Sequence, residues 1–516
     1  MSYVIGVDIG TQSTKGLIMD AQGQILASAS QSYGVINKKP LWAEQHAEVW
    51  LNATFAVIAD LVQQSNIDKT EIKALCVSSL YGGAGIPVDE SISPIYPCLI
   101  WMDRRADEQV QWVKENINTQ KLFSITGNSL DSYYGYTKIL WLKQNEPEIW
   151  QNTRYFLPPN SYINYMLTGE IAVDHSSAGN IGGVYDLANR SWSQEAMTML
   201  GVPHHYMPEK LVGSGDIVGG LLPDVAEKLG LAPSTPVVAG GVDAAVATYA
   251  AGVCEPGDHV AMIGTSMCWG FVNHTANAEH GLISMPHVNN PKEDIYIFGG
   301  AITAGASISW FIDQFCQAEK IAAEGAGSNV HQLLEKEAKH LPPGADGLLF
   351  LPYLMGERSP VWDSKASGTM LGMSLFHTRH HLYRAVIEGV TFALRDNIEC
   401  GKASAEKLND KLIVVGGAAY SDMWMQIIAD ITGYPVLTIK EEVEAPLGDC
   451  ALAAAAVGLI ESGEQIKQWS TLVPRATPDA QSHAIYNKLF EQYRALYQSC
   501  KSTMHALNDI AMHLKN

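Results

Sequence analysis

The chain offers no apolar stretch long enough to cross a bilayer. The longest, Cys450 to Ile460, is bounded by Asp449 and Glu461 and falls well short of the ~20 residues a membrane helix requires. The N-terminus shows no basic region, apolar core and cleavage site. It enters a strand-like run, Tyr3 to Val7, that ends in Asp8, so export is not expected and the cytoplasm is.

Cysteine is sparse and unpatterned. Cys76, Cys98, Cys254, Cys268, Cys316, Cys400, Cys450 and Cys500 form no CxxC pair and have no histidine at zinc spacing, which leaves buried reduced thiols as their reading. The histidine pairs His204/His205 and His380/His381 are sequence neighbours, whose side chains diverge on a helix or strand. Basic residues are the minority, 34 against 54 acidic, for a net charge of -20. That field repels phosphate backbones and excludes nucleic acid and anionic membranes as expected partners. It does not exclude a nucleotide, because local backbone donors and a metal ion can hold phosphate inside an acidic protein.

Charged residues are also few, 17% against roughly 25% in an average soluble protein, while hydrophobic ones reach 47%. Such a chain buries large cores and is not disordered. Its 516 residues imply two to four domains, or two large ones. Two familiar nucleotide motifs are missing as well: no GxxxxGK followed by Ser or Thr, and no GxGxxG after a strand.

What is present is a repeated grammar. Tyr3 to Asp8 reads as a strand, Gly10-Thr11-Gln12-Ser13-Thr14 as a tip, and Lys15 to Asp20 as a second strand. A helix is predicted around Glu48 to Gln63 and a buried strand over Ile72 to Val77, so strands and helices alternate and the class is α/β. Half a chain later the pattern returns: strand His259 to Ile263, tip Gly264-Thr265-Ser266, strand Met267 to Val272. Two such units predict duplicated α/β domains across a cleft, 1–254 and 255–516, joined near Cys254 to Gly257. Further on come Leu348 to Leu354, a polar loop from Gly356 to Ser367, a helix from His380 to Glu399, a strand Lys411 to Val415, a Gly416-Gly417 turn and an Ala-rich helix that closes the series.

Three of these features can carry chemistry. At the first tip, backbone N–H groups, hydroxyls and Lys15 can surround phosphate oxygens, and Asp8 suits a hard cation such as Mg2+; an ordinary hairpin turn would read the same way. The second tip admits the same two readings. Pro236 to Ala245 is an apolar strand that delivers Asp243 among Gly and Ala with no basic neighbour in sequence. It is either an acceptor for the proton of an attacking hydroxyl or a turn or N-cap aspartate.

Nearly end to end, the chain resembles the FGGY carbohydrate kinases, members of the actin-like ATPase fold. The most specific match is Gly368 to Met373 followed, after seven residues, by His381 to Glu388. A second is Tyr133 to Asn145, with Lys138 and Trp141 in place and Gly135 where Pro, Ser or Thr is usual. The resemblance implies two ribonuclease H-like domains flanking a catalytic cleft, with ATP and Mg2+ as cofactors and a small sugar as substrate. It implies Asp8 as metal ligand, Gly10, Thr11, Gln12 and Ser13 as the first phosphate loop, Gly264 and Thr265 as the second, and Gly305, Gly416, Gly417 and Ser421 at the adenine nucleotide. Asp243 falls on the family's catalytic base. Sugar contacts fall on Leu80, Tyr81, Gly82, Trp101, Asp103 and Tyr133.

Here the chain departs from xylulokinases and glycerol kinases, which carry Met-His and Arg-Glu where it has Tyr81-Gly82. Gly82 is expected either to leave space for a longer or differently branched substrate or to mark a loop that bends differently. Gly356 to Pro360 is polar and shared across the family, and the sequence assigns it no chemical role beyond shaping the cleft loop. The expected activity is phosphorylation of a pentulose such as xylulose. The rivals are a kinase for a polyol, a sugar acid or another ketose, and, in another class, a non-enzymatic ATP-dependent switch. A homodimer is expected from family habit alone.

Overall fold

The computed structural model describes residues 2–277, 281–441 and 443–513. Two large sheets organise it, and only their strands are numbered here. The first contains β1 (Tyr3–Ile9), β2 (Ser13–Asp20), β3 (Ile25–Ser32), β4 (Ile72–Ser79), β5 (Ile217–Gly220) and β6 (Pro236–Val238), in the order β5-β6-β4-β1-β2-β3. The second contains β7 (His259–Ile263), β8 (Met267–Asn273), β9 (Ile283–Pro286), β10 (Ile295–Gly299), β11 (Leu412–Val415), β12 (Val436–Ile439) and β13 (Leu472–Ala476), in the order β9-β10-β8-β7-β11-β12-β13.

The duplication is visible in the pairing. β3, β2 and β1 run antiparallel, β1 passes to β4 and β4 to β6 in parallel, and β5 closes antiparallel. β10, β8, β7, β11, β12 and β13 repeat that series of directions, with β9 added outside β10. Parallel strands require covering on both faces, and the apolar runs of β1 and β4 meet that requirement. Every residue of β1 is buried except Asp8. The strand expected to stop at Asp8 continues to Ile9, which pairs with both Thr14 and Ser79.

The helices that matter for the site are α1 (Ala47–Ser65), α2 (Gly135–Asn145), α3 (Asp243–Ala250), α4 (Gly305–Phe315), α5 (Arg379–Lys402), α6 (Asp422–Thr432), α7 (Ala445–Ala456) and α8 (Ala480–His513). Of these, α7 crosses between the halves. Although its sequence lies far down the chain, it packs on β1 and β4 of the first sheet and on α3. A Cβ at Gly6 would stand 2.1 Å from the Pro446 carbonyl and one at Gly448 2.4 Å from the Val246 carbonyl, so both glycines are required for this approach. Small residues along α7 therefore serve packing.

The sequence reading ended the chain's helices at the Ala-rich segment and missed α8. Its signal was present: Tyr486, Phe490, Tyr493, Tyr497 and Met504 recur at spacings of three, four and seven residues, and all are buried. No helix among the described residues is long and apolar enough to cross a membrane.

Candidate active site

The first tip is held by backbone and side chains together. Gly10 N–H donates to the Ser13 carbonyl (2.9 Å), Tyr33 N–H to the Gln12 carbonyl (2.9 Å), and the Tyr33 hydroxyl to the Gly10 carbonyl (2.7 Å). Gln45 Nε2 donates to the Thr11 carbonyl (2.8 Å), and Trp101 Nε1 to Thr11 Oγ1 (2.9 Å). The second tip is built alike, with Gly264 N–H donating to the Ser266 carbonyl (2.9 Å). The first turn of α4 lies against it: Gly305 N–H donates to the Gly264 carbonyl and Ala304 N–H to the Thr265 carbonyl, each 2.9 Å. A Cβ at Gly305 would meet the Gly264 carbonyl at 2.6 Å, so glycine is needed there.

Three adjoining cavities line up along these tips. One of about 800 Å³ is lined by Gly264, Thr265, Gly305, Gly417, Ser421 and Trp310, among others. It brings together most of the residues assigned to the nucleotide, and its size suits an adenine nucleotide. A second, of about 500 Å³, shares Gly417 and Tyr420 with the first and adds Gly416, Val443 and Glu444. The third, of about 330 Å³, shares Val443 and Glu444 and reaches Asp8, Gly10, Ser13, Lys15 and Asp243. Ser421 also caps α6, accepting from Trp424 N–H.

Asp243 is the first residue of α3, whose N-cap is Val242 without a side-chain cap bond. The turn or N-cap reading therefore does not account for it. Among the described residues its Oδ1 accepts only the neighbouring Ala244 N–H (2.6 Å), so most of the carboxyl's bonding capacity is left for the cavity. Burial and the charge of Asp8 push Asp243 up to about 8. Burial likewise pushes Asp8 up to about 6, against the Ser78 hydroxyl, which lies 3.1 Å from its Oδ1. Lys15 pairs with Glu444 (2.5 Å) at the exposed rim. Two like charges desolvated in one small cavity define a place where a cation would relieve both.

Residues 3–250 match the N-terminal domain of the FGGY family of carbohydrate kinases, and residues 259–457 match its C-terminal domain. The chain belongs to that family. It is 32% identical to a protein named xylulose kinase from Bacillus subtilis (strain 168), over 98% of this chain and 99% of that one. Its fold superposes on a ligand-bound xylulose kinase from Lactobacillus acidophilus with a TM-score of 0.90 at 26% identity, covering 98% of this chain and 100% of that one. A gluconate kinase from Lactobacillus acidophilus matches with a TM-score of 0.89 at 26% identity, covering 98% and 99%.

Within this FGGY kinase the sugar-segment residues divide into two groups. Gly82, Trp101 and Tyr133 converge: a Cβ at Gly82 would lie 2.8 Å from Tyr133 Cζ and 3.0 Å from Trp101 Cβ. With φ at +84°, Gly82 answers a backbone and packing demand. The expectation that it leaves space for a larger substrate is corrected, because the Tyr133 and Trp101 side chains fill that space. Leu80 and Tyr81 turn into the core, and the Tyr81 hydroxyl has no partner there. Asp103 is enclosed, accepting from Ala43 N–H (2.7 Å) and from the Arg105 guanidinium (2.7–3.0 Å). Its carboxylate anchors the Trp101 segment.

The two family signatures act structurally. Lys138, buried in α2, donates to the Gly82 carbonyl (2.6 Å) and the Tyr133 carbonyl (2.5 Å), tying together two of the segments on which the resemblance placed the sugar contacts. A Cβ at Gly135 would sit 1.9 Å from the Gly83 carbonyl, so the usual Pro, Ser or Thr cannot stand there. In α5, Glu388 accepts from Arg384 Nε (2.8 Å), the Tyr486 hydroxyl (2.6 Å) and Gly344 N–H (3.1 Å), a buried network away from the tips. Sequence reading did not single out Tyr33, which braces the first tip, and gave no chemical role to Arg358, a buried cation beside Trp101.

Proposed function

We propose that the chain transfers the terminal phosphoryl group of ATP to a hydroxyl of a pentulose, xylulose being the first candidate, with Asp243 as general base. The observation that carries this reading is the placement of Asp243. Among the described residues its carboxyl is unshared apart from one backbone N–H, and it looks into the cavity that holds the first tip, which the second cavity links to the nucleotide-sized one. The kinship with proteins named xylulose kinase supports the choice of sugar.

The nucleotide lies in the larger cavity with its phosphates directed along the second tip toward the first. Backbone N–H groups and hydroxyls of Thr11, Ser13, Thr265 and Ser266 receive phosphate oxygens, and Lys15 leaves Glu444 for the same charge. The sugar sits against Trp101 and Tyr133, which exclude water on that side. Asp243 takes the proton of the attacking hydroxyl as the oxygen closes on phosphorus.

Mg2+ fits the residues present. Among the described residues no group of three or more His, Cys, Asp or Glu side chains forms a metal cage, and one or two carboxylates completed by phosphate oxygens is the usual mode for this ion. Asp8 would hold it, and it would supply charge neutralisation at the phosphates. Domain units 1–254 and 255–516, a cytoplasmic setting and a homodimer belong to the same proposal. A coupled ADP-release assay with Mg-ATP tests it against D-xylulose, ribulose, glycerol, erythritol and gluconate. One sugar giving a large rate that Asp243→Ala abolishes supports the reading. A rate that survives in Asp243→Ala overturns the base, and a rate confined to gluconate or a polyol overturns the pentulose.

A further inference from the structure

The loop Gly356 to Pro360 is stapled to the strand end at Gly300 from both sides of one cation. Ser359 Oγ accepts from Gly300 N–H (2.6 Å), and Glu357 Oε1 accepts from Ile302 N–H (3.1 Å) and Arg358 N–H (2.7 Å). Between them the Arg358 side chain is 8% exposed. Among the described residues it forms no ion pair, and its one side-chain hydrogen bond, Nε to the Gly300 carbonyl, is long at 3.5 Å. A buried guanidinium is ordinarily paired, because desolvating an unmatched charge is costly. Two sequence-adjacent hydrogen-bonded residues thus hold in place a cation whose charge acts on the buried Glu357 carboxylate but which, among the described residues, makes no direct ion pair.

Its surroundings come from both halves. The guanidinium lies over the Trp101 ring, 6.0 Å from the centroid, and its charge acts on Tyr133 and Asp243 of the N-terminal half and on Cys268 of the other. A Cβ at Gly300 would stand 3.0 Å from Arg358 Nη2 and 1.9 Å from the carbonyl of Met267, the residue that directly follows the second tip. The cation therefore lies over the Trp101 ring and beside the strand end that meets the residue following the Gly264–Ser266 tip, and its charge reaches Asp243.

We propose that Arg358 is a catalytic residue, donating its guanidinium N–H groups to the phosphoryl oxygens as the group passes from ATP to the sugar. This rests on the kinase reading above. In the step, the bond from the terminal phosphorus to its bridging oxygen breaks and the electron pair leaves with ADP. The bond from the sugar oxygen to phosphorus forms, and the hydroxyl proton goes to Asp243. Arg358 keeps its proton throughout and neutralises charge on the equatorial oxygens, a contribution that in-cis arginines make in other phosphoryl-transfer sites. Because the cation is already desolvated and fixed, little reorganisation accompanies the reaction.

The test compares wild type, Arg358→Met and Arg358→Lys with D-xylulose and Mg-ATP. Arg358→Met is expected to lower kcat by about 100-fold or more, with KM for sugar and for ATP within about threefold, and Arg358→Lys to restore only a small part of the loss. Binding of MgADP with aluminium fluoride in the presence of D-xylulose gives the second readout. Wild type should bind it more tightly than MgADP alone, and Arg358→Met should lose that gain while keeping its MgADP affinity. The proposal is overturned if kcat stays within about threefold, if the loss is in sugar KM alone, or if MgADP affinity and the melting temperature fall together. If wild type turns over no sugar at all, the kinase reading fails instead. Basal ATP hydrolysis then decides the role of Arg358: a loss of about tenfold or more supports it and an unchanged rate overturns it.

Discussion

Asp8 stands close enough to Asp243 for its charge to raise the proton affinity of the second carboxyl, on top of burial that raises both. The free enzyme's base therefore carries a proton over much of the neutral range. We expect kcat/KM for the sugar to rise with pH along a limb that lies near pH 8 when Mg2+ is scarce and moves to lower pH as Mg2+ is added. Asp243→Asn should lower kcat by about 10²–10⁴-fold at every pH. A limb that ignores Mg2+ would separate Asp8 from the metal.

The same pair sets a stability trend. Both carboxyls have folded-state proton affinities above the ordinary value of 3.8, with Asp243 at about 8, so between those limits the folded state binds more protons than the unfolded one. Unfolding free energy then falls as pH rises through that window. Asp243→Asn removes the larger part of the trend. Without Mg2+ or nucleotide, the variant should melt higher than wild type at pH 8 and equally at pH 4. Thermal unfolding at the two pH values checks this, and a variant that melts lower at pH 8 refutes it.

Ser78 stands between two carboxyls, 3.1 Å from Asp8 Oδ1 and 2.6 Å from Asp449 Oδ2, yet its hydroxyl has one proton. Burial pushes Asp449 well above the usual carboxylate range, and the Asp8 charge adds to the shift. With one hydroxyl proton for two carboxyls, we expect a protonated Asp449 to supply its own bond to Ser78 and leave the Ser78 proton for Asp8, while Cys76 Sγ donates to the other Asp449 oxygen (3.3 Å). Asp449→Asn preserves a donor and an acceptor and should leave KM for Mg-ATP within about threefold, whereas Ser78→Ala should raise it about tenfold. Equal damage from both would mean that Asp449 is ionised.

Gly135 and Gly83 explain each other. The helix start at Gly135 comes so near the Gly83 carbonyl that a Cβ would be 1.9 Å away. Gly135→Ser, which restores a residue usual in the family, should therefore destabilise this chain by about 2–3 kcal/mol and raise sugar KM. Chemical denaturation measures the first and initial rates the second; a neutral substitution would require the Gly82-Gly83 turn to be mobile.

Much of this was legible in the chain. Strand, tip and strand are local patterns, and their recurrence at Gly10 and Gly264 pointed to the duplicated sheets, while the resemblance alone singled out Gly305, Gly417 and Ser421, which line one cavity with the second tip. The approaches between distant residues were not. That Ala-rich α7 docks on the first sheet depends on Gly6 and Gly448, and neither glycine announces its partner. Gly82 read as empty space because Tyr133 and Trp101, which fill it, are remote in sequence. Asp103 read as a sugar ligand, although Arg105, two residues on, occupies its carboxylate. Arg358 lay in a polar string whose partner ring, Trp101, belongs to the other half.

Lys138 offers the sharpest separation of positioning from chemistry. Its ammonium holds the carbonyls of Gly82 and Tyr133, so Lys138→Met leaves two buried acceptors unpaired, at about 1–3 kcal/mol each. The nucleotide cavity is lined by other elements. Sugar KM should therefore rise about tenfold or more while KM for ATP stays within about twofold. Burial pushes Lys138 down to about 7, yet a neutral amine still has two N–H groups, one for each carbonyl. The clamp should accordingly survive deprotonation, and the ratio of variant to wild-type sugar KM should be the same at pH 6 and pH 9. A ratio that collapses toward one at pH 9 would show that the positive charge, rather than the geometry of two donated bonds, holds the sugar segments together.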